Sequence, residues 1–346
     1  MNLLESSQTR SPNRSSTLAR ELVHRTALAE VLLTDVQRAP GREHAFRAAA
    51  QWARSHPTFD RAGDGRHNPL LVAETLRELG ICIPLQFYGV PADSHFLIEE
   101  LRFAIEPEAE PRARYGGSDI TCEVQAEPLQ ASHDHRPADK HGDPPEHGRH
   151  DPADPAVHPN GGDRPGRSTW PERLRLTVRY LAGGREFAHA DGIARFLPPA
   201  AYAAVRSRRA TGTPADRSDP GQARPSMPEP TLVGALRPED LLIGLDASGR
   251  TRLLPADPYH PFFYDHYSDH VPGMVLIEAV RQAAVRQAGE PAWRIVSCAL
   301  RALCFTEPDP PAEIACTITG PVADFEIRQL GRQTATGTLG FIPGPS

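Results

Sequence analysis

The stretch that decides the fold is D-P-Y-H-P-F-F-Y-D-H-Y-S-D-H-V-P-G-M-V-L-I-E-A-V-R-Q-A-A-V-R-Q, Asp257 to Gln287. It opens as a loop dense in titratable and aromatic side chains, with His260, Asp265, His266, Asp269 and His270 close together. It closes as a helix, for which Asp269 is the expected N-cap and Pro272 supplies a preset φ in the first turn. From Met274 to Ala284 nearly every residue is apolar on every face, the pattern of a buried helix. Glu278, Arg281 and Gln282 interrupt it. Glu278 and Arg281 are three apart and share a face. A buried carboxylate needs a partner or a task. A purely structural ion pair is the plain reading. The histidine and aspartate loop just upstream tips the balance toward chemistry at Glu278.

Working outward, the same pattern recurs earlier in the chain. His56-Pro57 and Glu74-x-x-Arg77 repeat as His260-Pro261 and Glu278-x-x-Arg281, both at an offset of 204 residues. Between them, Asn68-Pro69 reads as a helix start and Gly80 as its stop, followed by a strand over 81–90. Further strands are expected at His95–Ile105, Thr121–Gln125, Arg173–Leu181 and Glu186–Phe196, the last two joined by the Gly183-Gly184 turn. A short helix is expected over Pro198–Arg208. In the second half, strands are expected at Leu241–Leu245, Thr251–Pro255, Arg294–Phe305, Ala312–Thr319, Asp324–Leu330 and Thr334–Phe341. Each half is thus a long buried helix with several antiparallel strands. The expected class is α+β, with two units that each wrap a curved antiparallel sheet around a helix.

Composition bounds the rest. The 346 residues suggest two domains, and a net charge of −6 without a basic block gives no sign of nucleic-acid binding. No apolar run reaches membrane-spanning length, so no membrane partner is expected. Residues 1–21 are polar and read as a mobile tail without a secretory signal, which points to the cytoplasm. The five cysteines have no CxxC spacing and read as packing residues in a reducing compartment. Many of the 36 prolines cluster at 126–168 and 210–230. The first segment, with six histidines from His133 to His158, has too few apolar residues to offset the entropy of ordering and reads as a disordered insertion, not a metal site. The second reads as a linker. The expected layout is a tail over 1–21, a first unit over 22–209 holding that insertion, the linker, and a second unit over 231–346. Neither a metal nor a cofactor is expected.

The loop histidine, the P-G pair and a buried helix with Glu six residues after the Pro resemble the active-site segment of hotdog-fold dehydratases. The spacing of His266 to Pro272 is shorter than in that pattern, which weighs against plain dehydration. The fuller string D-H-x-x-D-H-V-P-G-M-x-L-x-E-A-x-R-Q-A resembles the A-factor biosynthesis (AfsA) family of γ-butyrolactone synthesis proteins. So do V-H-R-x-x-x-x-E-V-L-L-T-D (Val23–Asp35), H-N-P-L-L-V-A-E-T-L-R (His67–Arg77), and the close of the first unit, a D-G strand followed by a Tyr and an Arg. The resemblance implies a double hotdog fold. It also implies an acyltransferase that moves a β-ketoacyl group from a thioester, on acyl carrier protein or CoA, to a hydroxyl of dihydroxyacetone phosphate. A hotdog dehydratase, an acyl thioesterase and a non-catalytic acyl-binding protein remain alternatives, and homo-oligomerisation is left open. Under this resemblance the expected catalytic residues are Glu278, His266, His270 and Arg281, with Glu74 and Arg77 as a second, unequal constellation. Asp265, Asp269, Gly273, His56 and His260 are the expected substrate-binding residues. The N–H groups of Val271–Val275 are the expected oxyanion donors.

Overall fold

The computed structural model describes residues 11–56, 58, 65–112, 115–129, 170–210 and 225–343. Most of the expected insertion and linker, and the first ten residues of the expected tail, lie outside them. The chain runs β1 (Leu33–Arg38), β2 (Ala45–Ala53), α1 (Leu70–Phe87), β3 (His95–Ile105), β4 (Gly117–Leu129), β5 (Arg173–Ala182), β6 (Arg185–Leu197) and α2 (Pro199–Ala210). It continues with β7 (Ile243–Leu245), β8 (Thr251–Leu253), α3 (Gly273–Ala288), β9 (Arg294–Ala302), β10 (Glu313–Thr319), β11 (Val322–Gln329) and β12 (Arg332–Ile342).

All twelve strands form one antiparallel sheet in the order β1-β2-β4-β5-β6-β3-β9-β12-β11-β10-β8-β7. The six strands of the first half end at β3, and those of the second begin at β9. The two halves join by antiparallel pairing of β3 with β9, from Glu100 opposite Arg301 to Ala104 opposite Ser297. This is a double hotdog: α1 packs on β1, β3, β5 and β6, α3 packs on β7, β9 and β10, and the two helices touch. Alternation explains the strands. Ile120, Cys122, Val124 and Ala126 on β4, and Leu174, Leu176, Val178 and Tyr180 on β5, turn inward and are buried. Both helices lack a polar face because sheet, loops and partner helix surround them.

The helix boundaries depart from expectation. Helix α1 does not stop at Gly80 but continues through Pro84 to Phe87, so residues 81–87 are helix and not strand. Gly80 keeps an ordinary φ and does not take the left-handed cap conformation. The following Ile81, Cys82 and Ile83 find their burial on the helix. Asn68 does act at the entrance, where its Oδ1 accepts from Leu70 N at 2.9 Å. Helix α3 begins at Gly273 with Pro272, not Asp269, at the N-cap, because Asp269 is engaged elsewhere. Strand β4 extends to Leu129, into the segment expected as insertion. Part of the expected tail is fastened: Asn13 N donates to Asp35 and Leu18 N to Leu33 O.

The repeat seen in sequence has a structural counterpart. Arg20–Val23 and Pro230–Val233 are both 3-10 turns closed by a left-handed residue, His24 and Gly234. Further 3-10 turns, Leu28–Glu30 and Pro238–Asp240, follow them. His56 Nε2 lies 3.0 Å from Glu30, and His260 Nε2 lies 3.2 Å from Asp240.

Candidate active site

Glu74 and Arg77 stand one turn apart on α1. Glu74 is fully buried and accepts from Arg77 Nε at 2.9 Å and Nη2 at 2.8 Å. It also meets Arg25 Nη2 at 2.8 Å. Burial alone would raise the Glu74 carboxyl, but the charges of Arg25 and Arg77 outweigh it and hold it below its ordinary range. Arg25 then crosses to the second half, where Nη1 donates to Phe262 O at 2.9 Å and the guanidinium lies 4.9 Å from the centre of the Phe262 ring. Arg77 Nη2 donates to Val23 O. These bonds use Nε and Nη2 of Arg77 and leave out Nη1.

Two histidines flank this cluster. His24 sits edge-on to Phe96 at 4.9 Å. Burial first, then Arg77, lowers its imidazole to about 4, so it is neutral at neutral pH. His266 is about half exposed, at 52 % of its side chain. Burial and then Arg77 lower it too, against the opposing charge of Asp265. Asp265 accepts from Thr26 N at 2.5 Å and Ala27 N at 3.0 Å, and so staples the second half's loop to the first half's turn.

A second cluster forms at the entrance to α3. His270 Nδ1 lies 2.9 Å from Asp269 Oδ1. The same oxygen accepts the Tyr202 hydroxyl at 2.5 Å. Arg206 Nε lies 3.2 Å from Asp269 Oδ2, and Arg206 also pairs with Glu307 at 2.8 Å. Tyr202 and Arg206 are four apart on α2, hence on one face. Burial works to raise the Asp269 carboxyl, but the Tyr202 and His270 hydrogen bonds and the Arg206 charge prevail and lower it. An ionised Asp269 can only accept, so the proton between them sits on His270 Nδ1. Next to it, α3 begins: Leu276 N makes a bond of the first turn, to Pro272 O, at 3.2 Å. The N–H groups of Gly273, Met274 and Val275 precede it and are the orphan donors of a helix start. Val271 N, expected among those donors, is instead bonded to Thr306 O at 2.8 Å.

The first cluster and His270 of the second line one cavity of about 760 Å³. Its polar end carries His24, Arg25, Glu74, Arg77, His266 and His270, with Pro272 and Gly273 of α3 beside them. The remaining wall is mostly apolar, including Leu76, Ile98, Leu101, Leu174, Leu176 and Leu276, with Glu99, Glu100, Arg195 and Arg332 also among its residues. A charged end joined to a mostly apolar space suits a ligand with a polar head and an alkyl chain.

The structure separates the residues expected from sequence into two sets. Glu74, Arg77, Asp265, His266, His270 and Gly273 line the cavity; Asp269, Glu278, Arg281, His56 and His260 are not among its lining residues. Of the two Glu-x-x-Arg pairs, the one on α1 lines the cavity and the one on α3 does not. Glu278 is buried and takes Arg281 Nε at 2.8 Å and Gln282 Nε2 at 3.1 Å. At the place of His24 the second half has Gly234, packed against Pro291 O and Arg281. His56 and His260 are buried against Glu30 and Asp240. His260 Nδ1 accepts from Phe262 N and Phe263 N at 3.2 Å, which fixes the loop's turn and leaves no nitrogen for a ligand. Asp269 stands behind His270. Sequence reasoning passed over His24, Arg25, Tyr202 and Arg206. Its signals were there: His24-Arg25 sits in the V-H-R piece, and Tyr202 and Arg206 recur at helical spacing after the β5–β6 hairpin.

Comparison with known proteins agrees along the chain. The family described as the A-factor biosynthesis hotdog domain matches residues 6–141 and 225–291. A 2-oxo-3-(phosphooxy)propyl 3-oxoalkanoate synthase of Streptomyces virginiae is 30 % identical over 339 residues, 95 % of this chain and 98 % of the relative. A synthase of the same name from Streptomyces coelicolor is 30 % identical over 93 % of this chain and 88 % of its own. One from Streptomyces griseus is 29 % identical over 78 % and 75 %. Among solved structures, an acyl-ACP thioesterase from Bacteroides thetaiotaomicron aligns with a TM-score of 0.44 at 9 % identity, over 86 % of this chain and 98 % of that one. A dehydratase-cyclase domain of ambruticin biosynthesis aligns at 0.44 and 15 %, over 90 % and 96 %. With more than half of its length matched by the family and nearly all of it aligned to a synthase relative, this chain belongs to the A-factor biosynthesis hotdog (AfsA) family.

Proposed function

We propose that this protein is an acyltransferase that moves a 3-oxoalkanoyl group from a thioester, on acyl carrier protein or CoA, to the hydroxyl of dihydroxyacetone phosphate, a step of γ-butyrolactone synthesis. The observation that carries the reading is the cavity itself, in a chain collinear with synthases of that name: His24, Arg25, Arg77, His266 and His270 share it with a wall that is otherwise mostly apolar. The phosphate end of the triose lies against Arg77, through its Nη1, with His24 and His266 as further donors. Glu74 holds Arg25 and Arg77 in place. His270, held by Asp269, takes the hydroxyl proton through Nε2 as the triose oxygen attacks the thioester carbonyl. The Gly273 and Met274 N–H groups face the carbonyl oxygen as it gains charge. Collapse of the tetrahedral intermediate breaks the C–S bond, and the His270 imidazolium returns the proton to the departing thiolate. Products are the phosphorylated ester and the free thiol. Glu278 and Arg281 take a structural part in this scheme.

Both substrates are cytoplasmic metabolites, and we assign the reaction to that compartment; among the described residues no helix is long and apolar enough to cross a membrane. We also keep 22–209 and 231–346 as the two hotdog units. The test is to incubate the purified chain with a 3-oxoacyl thioester and dihydroxyacetone phosphate and follow the products by mass spectrometry. The phosphorylated ester is expected. Free 3-oxo acid formed without the triose indicates a thioesterase, loss of water from a 3-hydroxyacyl thioester a dehydratase, and no turnover an acyl-binding protein. Each of these would overturn the proposal.

A further inference from the structure

Gly80 stands in the interior of α1, where glycine is a poorer helix former than alanine. Three ordinary reasons for a glycine are missing here. Its φ is not left-handed, so the backbone does not require it. A Cβ built on it would meet only Leu176 Cδ1, at 3.9 Å, an ordinary contact. Pro84, four residues on, takes away the donor to the Gly80 carbonyl but does not select the residue at Gly80 itself. Gly192, on β6 opposite, is the contrast. A Cβ there would come within 3.1 Å of Leu76 Cδ2 and 3.3 Å of Glu100 O, so that glycine serves close packing. Gly80 leaves space instead.

That space belongs to the cavity, which Gly80 lines along with Leu76, Ile81, Leu101, Leu174 and Leu176. Leu76 and Gly80 are four apart on one helix face, and Gly80 is one turn, about 4.5 Å along the axis, beyond Arg77. The helix thus runs from the charged end of the cavity at Glu74 and Arg77 toward its aliphatic part at Gly80. An acyl chain whose thioester carbonyl lies at His270 and Gly273 has this apolar part of the same cavity, with Leu76 and Gly80, for its outer methylenes.

We infer that Gly80 sets the length of the acyl chain the cavity admits: the missing side chain is the room that the end of a 3-oxoalkanoyl group fills. This rests on the acyl-transfer reading above. A side chain at Gly80 shortens the space without touching the groups that do the chemistry.

The experiment uses the full chain with 3-oxoacyl pantetheine thioesters from 3-oxohexanoyl to 3-oxododecanoyl, comparing wild type, Gly80→Ala and Gly80→Leu. Gly80→Leu is expected to lower kcat/KM for the longest chain admitted by wild type roughly 10- to 200-fold, the range for methylenes that no longer fit an apolar pocket. The loss appears mainly in KM, with kcat on the shortest chain unchanged. Gly80→Ala shifts the profile the same way by less, and its thermal midpoint rises because alanine favours the helix. The inference is overturned if both variants keep the wild-type chain-length profile, or if every chain length loses equally. If Gly80→Leu does not fold, Gly80→Ala decides. Displacement of a bound fluorescent fatty-acid probe by the same thioesters reads the length preference without turnover. A wild type that makes no ester but binds with a length preference that Gly80→Ala moves defeats the acyl-transfer reading alone; ester formation with an unmoved preference defeats this one alone.

Discussion

Replacing Glu78 by glutamine should stabilise the protein, and only above about pH 5. Glu78 is fully buried on α1 and accepts from Leu32 N at 3.1 Å and Leu33 N at 2.9 Å. Burial, and then the neighbouring Glu74 charge, raise its carboxyl from 4.5 to about 8. The folded carboxyl therefore keeps a proton that the unfolded chain releases above pH 4.5. Its contribution to stability is present below 4.5 and is lost as the pH climbs toward 8, at about 1.4 kcal/mol per pH unit. At pH 7 the loss is on the order of 3 kcal/mol, and a glutamine does not titrate. The second half shows how an amide fits. Gln282, at the matching place on α3, accepts from Leu242 N at 2.9 Å and donates to Asp240 O at 2.8 Å and Glu278 Oε1 at 3.1 Å. Glu30 and Glu74 stand at the equivalent positions of the first half. Urea unfolding of wild type and Glu78→Gln at pH 5 and pH 8 should show near-equal stability at the first and a clear gain for the variant at the second. An equal difference at both values, or destabilisation at both, would show that Glu78 is ionised in the folded protein and refute the argument.

Other outcomes follow from the two ion clusters. Glu74→Gln leaves Arg25 and Arg77 buried without their carboxylate and should lower stability by about 3–5 kcal/mol and abolish turnover, measured by denaturant unfolding and ester formation. Glu278→Gln should lower stability by a similar amount, about 3–5 kcal/mol, while the folded protein keeps near-normal turnover; a folded variant without activity would return Glu278 to the mechanism. Asp269→Asn lets His270 adopt the wrong tautomer and should reduce kcat about 10²- to 10⁴-fold with an unchanged KM for the triose phosphate. Arg77→Met should mainly raise that KM, which steady-state kinetics over a range of triose phosphate concentrations will show.

The parts of the fold that alternate cleanly were legible. Arg173–Ala182 and Arg185–Leu197 read as a hairpin because inward and outward residues alternate and two glycines make the turn. The two helices read as buried because no face was polar. Local signals failed where burial overrode them. Gly80 looked like a stop, but the apolar residues beyond it find their burial on the continuing helix. Strand β2, Ala-rich at Ala48–Ala50, carries little strand signal and is held by its neighbours β1 and β4. The candidate site was half legible for a different reason. Glu74-x-x-Arg77 and Glu278-x-x-Arg281 look alike in sequence. What separates them is the surroundings, Arg25 and His24 in one case and Gly234 and Pro291 in the other. Those surroundings depend on contacts between residues from about 50 to 237 positions apart.

The joint between β3 and β9 holds two similar halves in one polypeptide, and this changes what each half is free to become. In a symmetric pair a substitution appears twice, so a pocket cannot be improved on one side and sacrificed on the other. Here each helix can mutate alone. The first has kept its guanidinium and carboxylate at the cavity, while the second has turned the same chemical pair inward as a brace. If the proposed function holds, the stoichiometric consequence is one acyl chain held per polypeptide at this cavity. Titration of the purified chain with a tight-binding thioester analogue, followed by calorimetry, would count it.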